Sequence, residues 1–81
     1  MKNMSALIGM KKIRKQKGYS QVKVAMDLSM TQEAISLYET GKRSPDINTL
    51  LIFSDYFDVS VDYLIKGEEF TPKYRRTKST N

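Results

Sequence analysis

Between Gln32 and Leu37 the sequence QEAISL sets an amide, a carboxylate, a hydroxyl and an aliphatic side chain within two helical turns. An amide offers a donor and an acceptor on one planar head, a carboxylate accepts only, and a hydroxyl does both. These are the groups that match base edges in a major groove. Gln32 can bond the N6 and N7 of adenine, Glu33 can accept from cytosine N4, and Leu37 can press on a thymine methyl. Ser36 can bond a base or a phosphate. Bond-making chemistry, by contrast, has no visible apparatus. The 81 residues contain no cysteine and no histidine, which removes the thiolate nucleophile, the commonest general base and the usual zinc ligands. The adjacent carboxylates Glu68 and Glu69 have no nucleophile and base beside them. The residue types predict recognition rather than catalysis, with no cofactor and no metal.

Those side chains need a short rod to carry them, and the segment from Ser20 to Arg43, SQVKVAMDLSMTQEAISLYETGKR, supplies one. Ser20 can cap a helix whose first turn holds Gln21, and Val24, Ala25 and Leu28 then share an inward face. The pattern breaks at Ser29 and Met30. Thr31 restarts it as a second cap, Ala34, Ile35 and Tyr38 turn inward, and Gly41 ends it. Two short helices joined by a turn of about three residues form a helix-turn-helix, whose second helix can enter a groove while the first crosses the backbone. A helical hairpin also occurs in small helical domains that bind no nucleic acid. Val22 and Met26 are apolar where solvent is expected, forming a small surface patch or packing on the preceding helix.

That preceding helix is predicted from Met4 to Lys17, with Ala6, Leu7, Met10 and Ile13 inward, lysines on the other faces and Gly18 as its stop. Asp46 is predicted to cap a fourth helix after Ser44 and Pro45. Ile47, Leu50, Phe53, Ser54 and Phe57 form its buried stripe, with Leu51, Ile52 and Tyr56 on neighbouring faces. A fifth helix spans Val61 to Lys66, with Leu64 inward, and Gly67 stops it. The chain therefore reads as all-α, one five-helix domain over residues 1–67. A tail over 68–81 lacks apolar periodicity and reads as a flexible basic end. In that tail Phe70 and Tyr74 could dock on a partner, while Lys73, Arg75, Arg76 and Lys78 would attract a polyanion.

Charge is segregated. Residues 1–43 carry nine Lys or Arg against three Asp or Glu, residues 44–69 carry one against six, and residues 70–81 carry four against none. A basic front half containing the helix-turn-helix suits a polyanion, because neutralised phosphates release condensed counterions. The run Lys11, Lys12, Arg14, Lys15, Lys17 reads equally as a solvated helix face. So short a chain supports only a small core, and pairing of two copies would help it. Ile52, Tyr56, Val61 and Ile65 are apolar beyond what one domain needs, which makes them candidates for a two-fold interface or ordinary core. No stretch is long enough for a signal peptide or a membrane span, so a cytoplasmic location is expected.

Taken together, SQ, then AxxL, then TQxxIxxYExGKRxP closely resemble the helix-turn-helix of the phage repressor and Cro-like family, the Xre family, over about Met10 to Leu64. The resemblance implies a lambda-repressor-like fold. Its function would be sequence-specific binding of double-stranded DNA as a transcriptional regulator, most often a repressor, acting as a homodimer on an inverted repeat. It implies base contacts from Gln32, Glu33, Ser36 and Leu37 and phosphate contacts from Gln21, Thr31, Lys42 and Arg43. It further implies a buried ion pair between Arg14 and Glu39, backbone amides donated to phosphate by the turn after the second motif helix, and dimerisation through the segment VSVDYLIKG. Two positions depart from the pattern: Leu37 stands where relatives carry a longer polar or basic residue, and Thr40 replaces an Asn. The alternative is an antitoxin or anti-repressor, a protein-interaction module whose partner is a toxin or another regulator and whose DNA binding is secondary.

Overall fold

A short helix is marginal in water, and its first four amides have no partner within it. This chain meets that cost with an oxygen at each of four helix starts. Ser20 accepts from the amide of Lys23 at 3.0 Å, Thr31 from Ala34 at 3.0 Å, Asp46 from Thr49 at 2.8 Å and Ser60 from Tyr63 at 2.9 Å. Each such cap stabilises by about 0.5–2 kcal/mol. The computed structural model describes residues 6–68. Its helices are α1 (Ile8–Gln16), α2 (Gln21–Leu28), α3 (Gln32–Thr40), α4 (Ile47–Phe57) and α5 (Val61–Lys66), with no strand among the described residues. This is the all-α, five-helix, lambda-repressor-like architecture expected. Phe70, Tyr74 and the basic residues of the tail lie outside the described residues.

α1 begins at Ile8 rather than at Met4, and its N-cap position is Leu7, with no capping side chain. Leu7 is instead buried, and its amide donates to the carbonyl of Tyr38 at 3.2 Å. The core draws on every helix: Leu7 with Met10 of α1, Val24 and Ala25 of α2, Ile35 of α3, Phe53 and Phe57 of α4, and Leu64 of α5. Phe53 and Phe57 stand one turn apart on α4, and Tyr38 meets Phe53 edge-on at 5.6 Å between centroids. Ile47 was expected in the same stripe and is 74% exposed. It occupies the first turn of α4, four residues before Leu51, and the helical period carries it round to that outer face. Leu51 and Ile52 beside it are 54% and 44% exposed.

α1 and α5 approach closely at Gly9. A Cβ there would stand 1.7 Å from the Tyr63 carbonyl oxygen, so no other residue fits without separating the helices. Lys12 closes the same contact, its Nζ donating to the Gly67 carbonyl at 2.9 Å. α4 is tied to α2 by Tyr56, whose hydroxyl donates to Asp27 Oδ2 at 2.5 Å and whose ring meets Phe57 edge-on at 4.8 Å. Tyr56, expected as a candidate for a two-fold interface, is half-buried and also braces α4 against α2 within one chain. The apolar count alone does not distinguish the two roles. The Tyr56 hydroxyl, then Lys23, holds the Asp27 carboxyl below the usual carboxylate range. Burial first, and Asp27 second, push the Tyr56 phenol well above its ordinary value.

Two outcomes follow from these contacts. Gly9→Ala gains roughly 1 kcal/mol of helix propensity but meets a backbone carbonyl. The clash wins, and net destabilisation of about 1–3 kcal/mol is expected from urea unfolding. The lowered Asp27 value adds stability above the ordinary carboxylate pKa, lost as pH falls through the folded value. The raised Tyr56 value adds stability below the ordinary phenol pKa, lost as pH rises. The melting-temperature advantage of the native chain over Tyr56→Phe should therefore be greatest between about pH 5 and pH 9 and shrink on both sides. An advantage independent of pH would show that the hydroxyl is not bonded to Asp27.

Candidate nucleic-acid interface

The placement of α3 is decided in the three residues before it. Ser29 takes a left-handed conformation, φ 57°, which L side chains adopt at some cost. That bend lets the Met30 amide donate to the Ala25 carbonyl at 2.8 Å and turns Met30 against the core. Thr31 can then cap the next helix. At the far end Gly41, φ 83°, terminates α3.

Beneath α3 runs a chain of polar side chains. Arg14 Nε donates to Glu39 Oε2 at 2.6 Å and Nη2 to Oε1 at 3.0 Å, while Nη1 reaches the Tyr19 carbonyl at 2.9 Å. The two side chains of the pair are only 9% and 2% exposed. Such a pair gains little over an apolar substitute. Removing one partner, however, strands the other charge at a cost of about 3–5 kcal/mol. Gln21 Nε2 also donates to Glu39 Oε1, at 3.1 Å, and Gln32 Nε2 donates to Gln21 Oε1 at 3.3 Å. Helices α1, α2 and α3 are thus joined through one carboxylate. The Gln21 to Glu39 bond was not foreseen, because spacing along the chain carries no signal of how closely two helix ends meet.

On the outer side of α3, Gln32 and Glu33 are exposed, while Ser36 and Leu37 are half-buried. All four were expected to face outward; the first two are exposed, and the other two are partly covered. Thr31 is exposed, and its oxygen accepts the capping bond. Its hydroxyl hydrogen is not consumed by that role, so a phosphate could still accept it. The Thr40 hydroxyl turns back to the carbonyls of Ser36, at 3.0 Å, and Leu37, at 3.3 Å.

Lys42 and Arg43 are exposed, with the Arg43 guanidinium 6.0 Å above the Tyr38 ring. Their amides, however, do not face outward. Gly41 N donates to Tyr38 O at 3.3 Å, and Lys42 N and Arg43 N donate to Leu37 O at 3.0 and 3.2 Å. The expectation that this turn offers backbone amides to phosphate is therefore corrected: they close the end of α3, and only the side chains remain. In α1, Arg14 is buried and Lys12 is exposed but bonded to Gly67, while Lys11, Lys15 and the C-cap residue Lys17 are exposed. Val22 and Met26 are exposed on α2. Among the expected interface residues Ile52 and Ile65 are exposed and Val61 is half-buried.

An exposed amide and carboxylate on the first turn of a helix, with exposed cations past its far end, suit base edges framed by phosphates. The family model described as Helix-turn-helix matches residues 10–64. The uncharacterized HTH-type transcriptional regulator YqaE of Bacillus subtilis is 49% identical over 59 residues, covering 73% of this chain and 51% of that protein. The SPbeta prophage-derived uncharacterized HTH-type transcriptional regulator YonR of the same organism is 45% identical, covering 72% and 54%. The HTH-type transcriptional regulator ImmR, also of B. subtilis, is 38% identical, covering 79% and 50%. The chain spans about half the length of these relatives. Motif, fold and relatives agree, and the chain belongs to the Xre family of phage repressor and Cro-like helix-turn-helix regulators.

Proposed function

We propose that this chain binds double-stranded DNA in a sequence-specific manner and regulates transcription by occupying an operator, in most settings as a repressor. The observation that carries this reading is the exposed first turn of α3, with Gln32 and Glu33 held out from a buried brace and Lys42 and Arg43 at the opposite end. Gln32 and Glu33 contact base edges, and Leu37 and Ser36 complete the apolar and hydroxyl contacts along the groove. Gln21, Thr31, Lys42 and Arg43 hold phosphates. The relatives are named as transcriptional regulators, which supports this reading over the protein-interaction alternative.

Two copies act together on an inverted repeat with half-sites about 34 Å apart. The pairing surface is the outer face of α4, where Ile47, Leu51 and Ile52 are exposed side by side, continued by Ile65 and Val61 of α5. Residues 44–69 are net acidic, so this face is repelled by DNA and left to protein.

Selection of bound duplexes from a random pool tests the reading, with a palindromic consensus expected. Gln32→Ala should relax preference at one position of each half-site, while Lys42→Ala should weaken binding to every sequence and reduce the salt slope by about one. Leu51→Lys should convert a two-chain particle into a single chain by light scattering and abolish the dependence of affinity on the second half-site. A native chain that scatters as a monomer on its two-site duplex would remove the pairing surface.

A further inference from the structure

The outer face of α4 and the turn leading into α5 form an open groove of about 950 Å³. Leu51, Ile52 and Val59 give it apolar walls, and Asp55, Asp58 and Ser60 edge it with oxygen. Both aspartates are exposed, and neither is paired with a cation among the described residues. Residues 44–69 carry one Lys or Arg against six Asp or Glu, so their own neighbourhood does not neutralise them. A complementary occupant brings apolar bulk and positive charge together.

The chain carries such a segment a few residues further on. Phe70, Lys73, Tyr74, Arg75 and Arg76 lie in the sequence FTPKYRR, and residues 70–81 hold four cations and no acid. Lysine and arginine stems cover apolar surface while their heads meet carboxylates, and aromatic rings add area to the same contact. The reach is short. The six residues of α5 separate Ser60 from Gly67, about 9 Å of helix. Three extended residues span about 10 Å. The way lies beside Ile65, which is exposed, and Val61, which is half-buried. Closing so short a loop costs little entropy, whereas the same contact between two molecules costs the freedom of one of them. We propose that residues 70–76 seat in this groove of their own chain and, by covering Leu51 and Ile52, hold back the pairing of two copies. The second half rests on the pairing surface proposed above.

A nitroxide on Thr77→Cys reads the first half in the full chain, which has no other cysteine. It should broaden the amide signals of the outer face of α4 and of residues 58–60 most strongly. Combining Asp55→Asn with Asp58→Asn should remove the effect; asparagine also tolerates the left-handed backbone of Asp58, φ 58°. Tagged chain added to isotope-labelled, untagged chain should broaden nothing. Broadening centred on another surface, or seen only in that mixture, would overturn the proposal. Light scattering over a concentration series reads the second half. Arg75→Glu with Arg76→Glu adds negative charge beside an acidic face, so repulsion alone would weaken pairing, whereas release of the groove should tighten it about fivefold. Unchanged or weaker pairing would show that this segment does not hold the copies apart. A chain that stays single in every variant while the nitroxide still marks the groove would remove the pairing surface, and the second half with it.

Discussion

One buried carboxylate joins three helices. Glu39 sits beneath α3 and takes two bonds from Arg14 of α1 and one from Gln21 of α2. Taking two charges out of water is costly, and their attraction does little more than offset it. Apolar residues of similar size would hold the helices together about as well. A methyl group, however, fits many arrangements, whereas a guanidinium and a carboxylate joined by two directed hydrogen bonds fit few. The pair is best understood as a constraint on the crossing of α1, α2 and α3 rather than as a source of stability. That crossing decides how far the first turn of α3 stands out from the surface.

The rest of the fold serves the same geometry. The left-handed Ser29 and the Thr31 cap set where α3 begins, and Gly41 with the folded-back amides of Lys42 and Arg43 sets where it ends. The rings of Tyr19, Tyr56 and Phe57 pack against one another, and Tyr38 of α3 packs on Phe53 of α4. A reading helix placed this way has little freedom to adapt. On the proposed function, discrimination would come from the mismatch of fixed donors and acceptors with the wrong base edge, since an unpaired polar group at a desolvated contact is penalised.

Much of this was legible in the residues because the signals were local. A cap needs only an oxygen three residues ahead of a free amide, and Ser20, Thr31 and Asp46 each announced a helix start that the structure has. The resemblance brought Arg14 and Glu39 together, which spacing alone could not. What escaped depended on how the helices meet. Leu7 resembles any residue of an amphipathic helix, yet it leaves the helix to enter the core. Ile47 fits the stripe by count and misses it by angle. Tyr56 counted as surplus apolar surface until its hydroxyl was seen on Asp27. Nothing in the sequence pattern marked Gly9, whose missing side chain is what allows α5 to approach. In the candidate interface, the exposed Gln32 and Glu33 were readable from helical period, whereas the partial burial of Ser36 and Leu37 and the inward amides after Gly41 were not.

The contact between α1 and α5 has a topological consequence. With Gly67 packed so that a side chain on it would reach Ile8, the first and last turns of the helical unit stand shoulder to shoulder. A unit whose entry and exit coincide behaves as a cassette: it can hang from a larger polypeptide by a single stalk, or be reopened elsewhere with its ends spliced, without disturbing the reading helix.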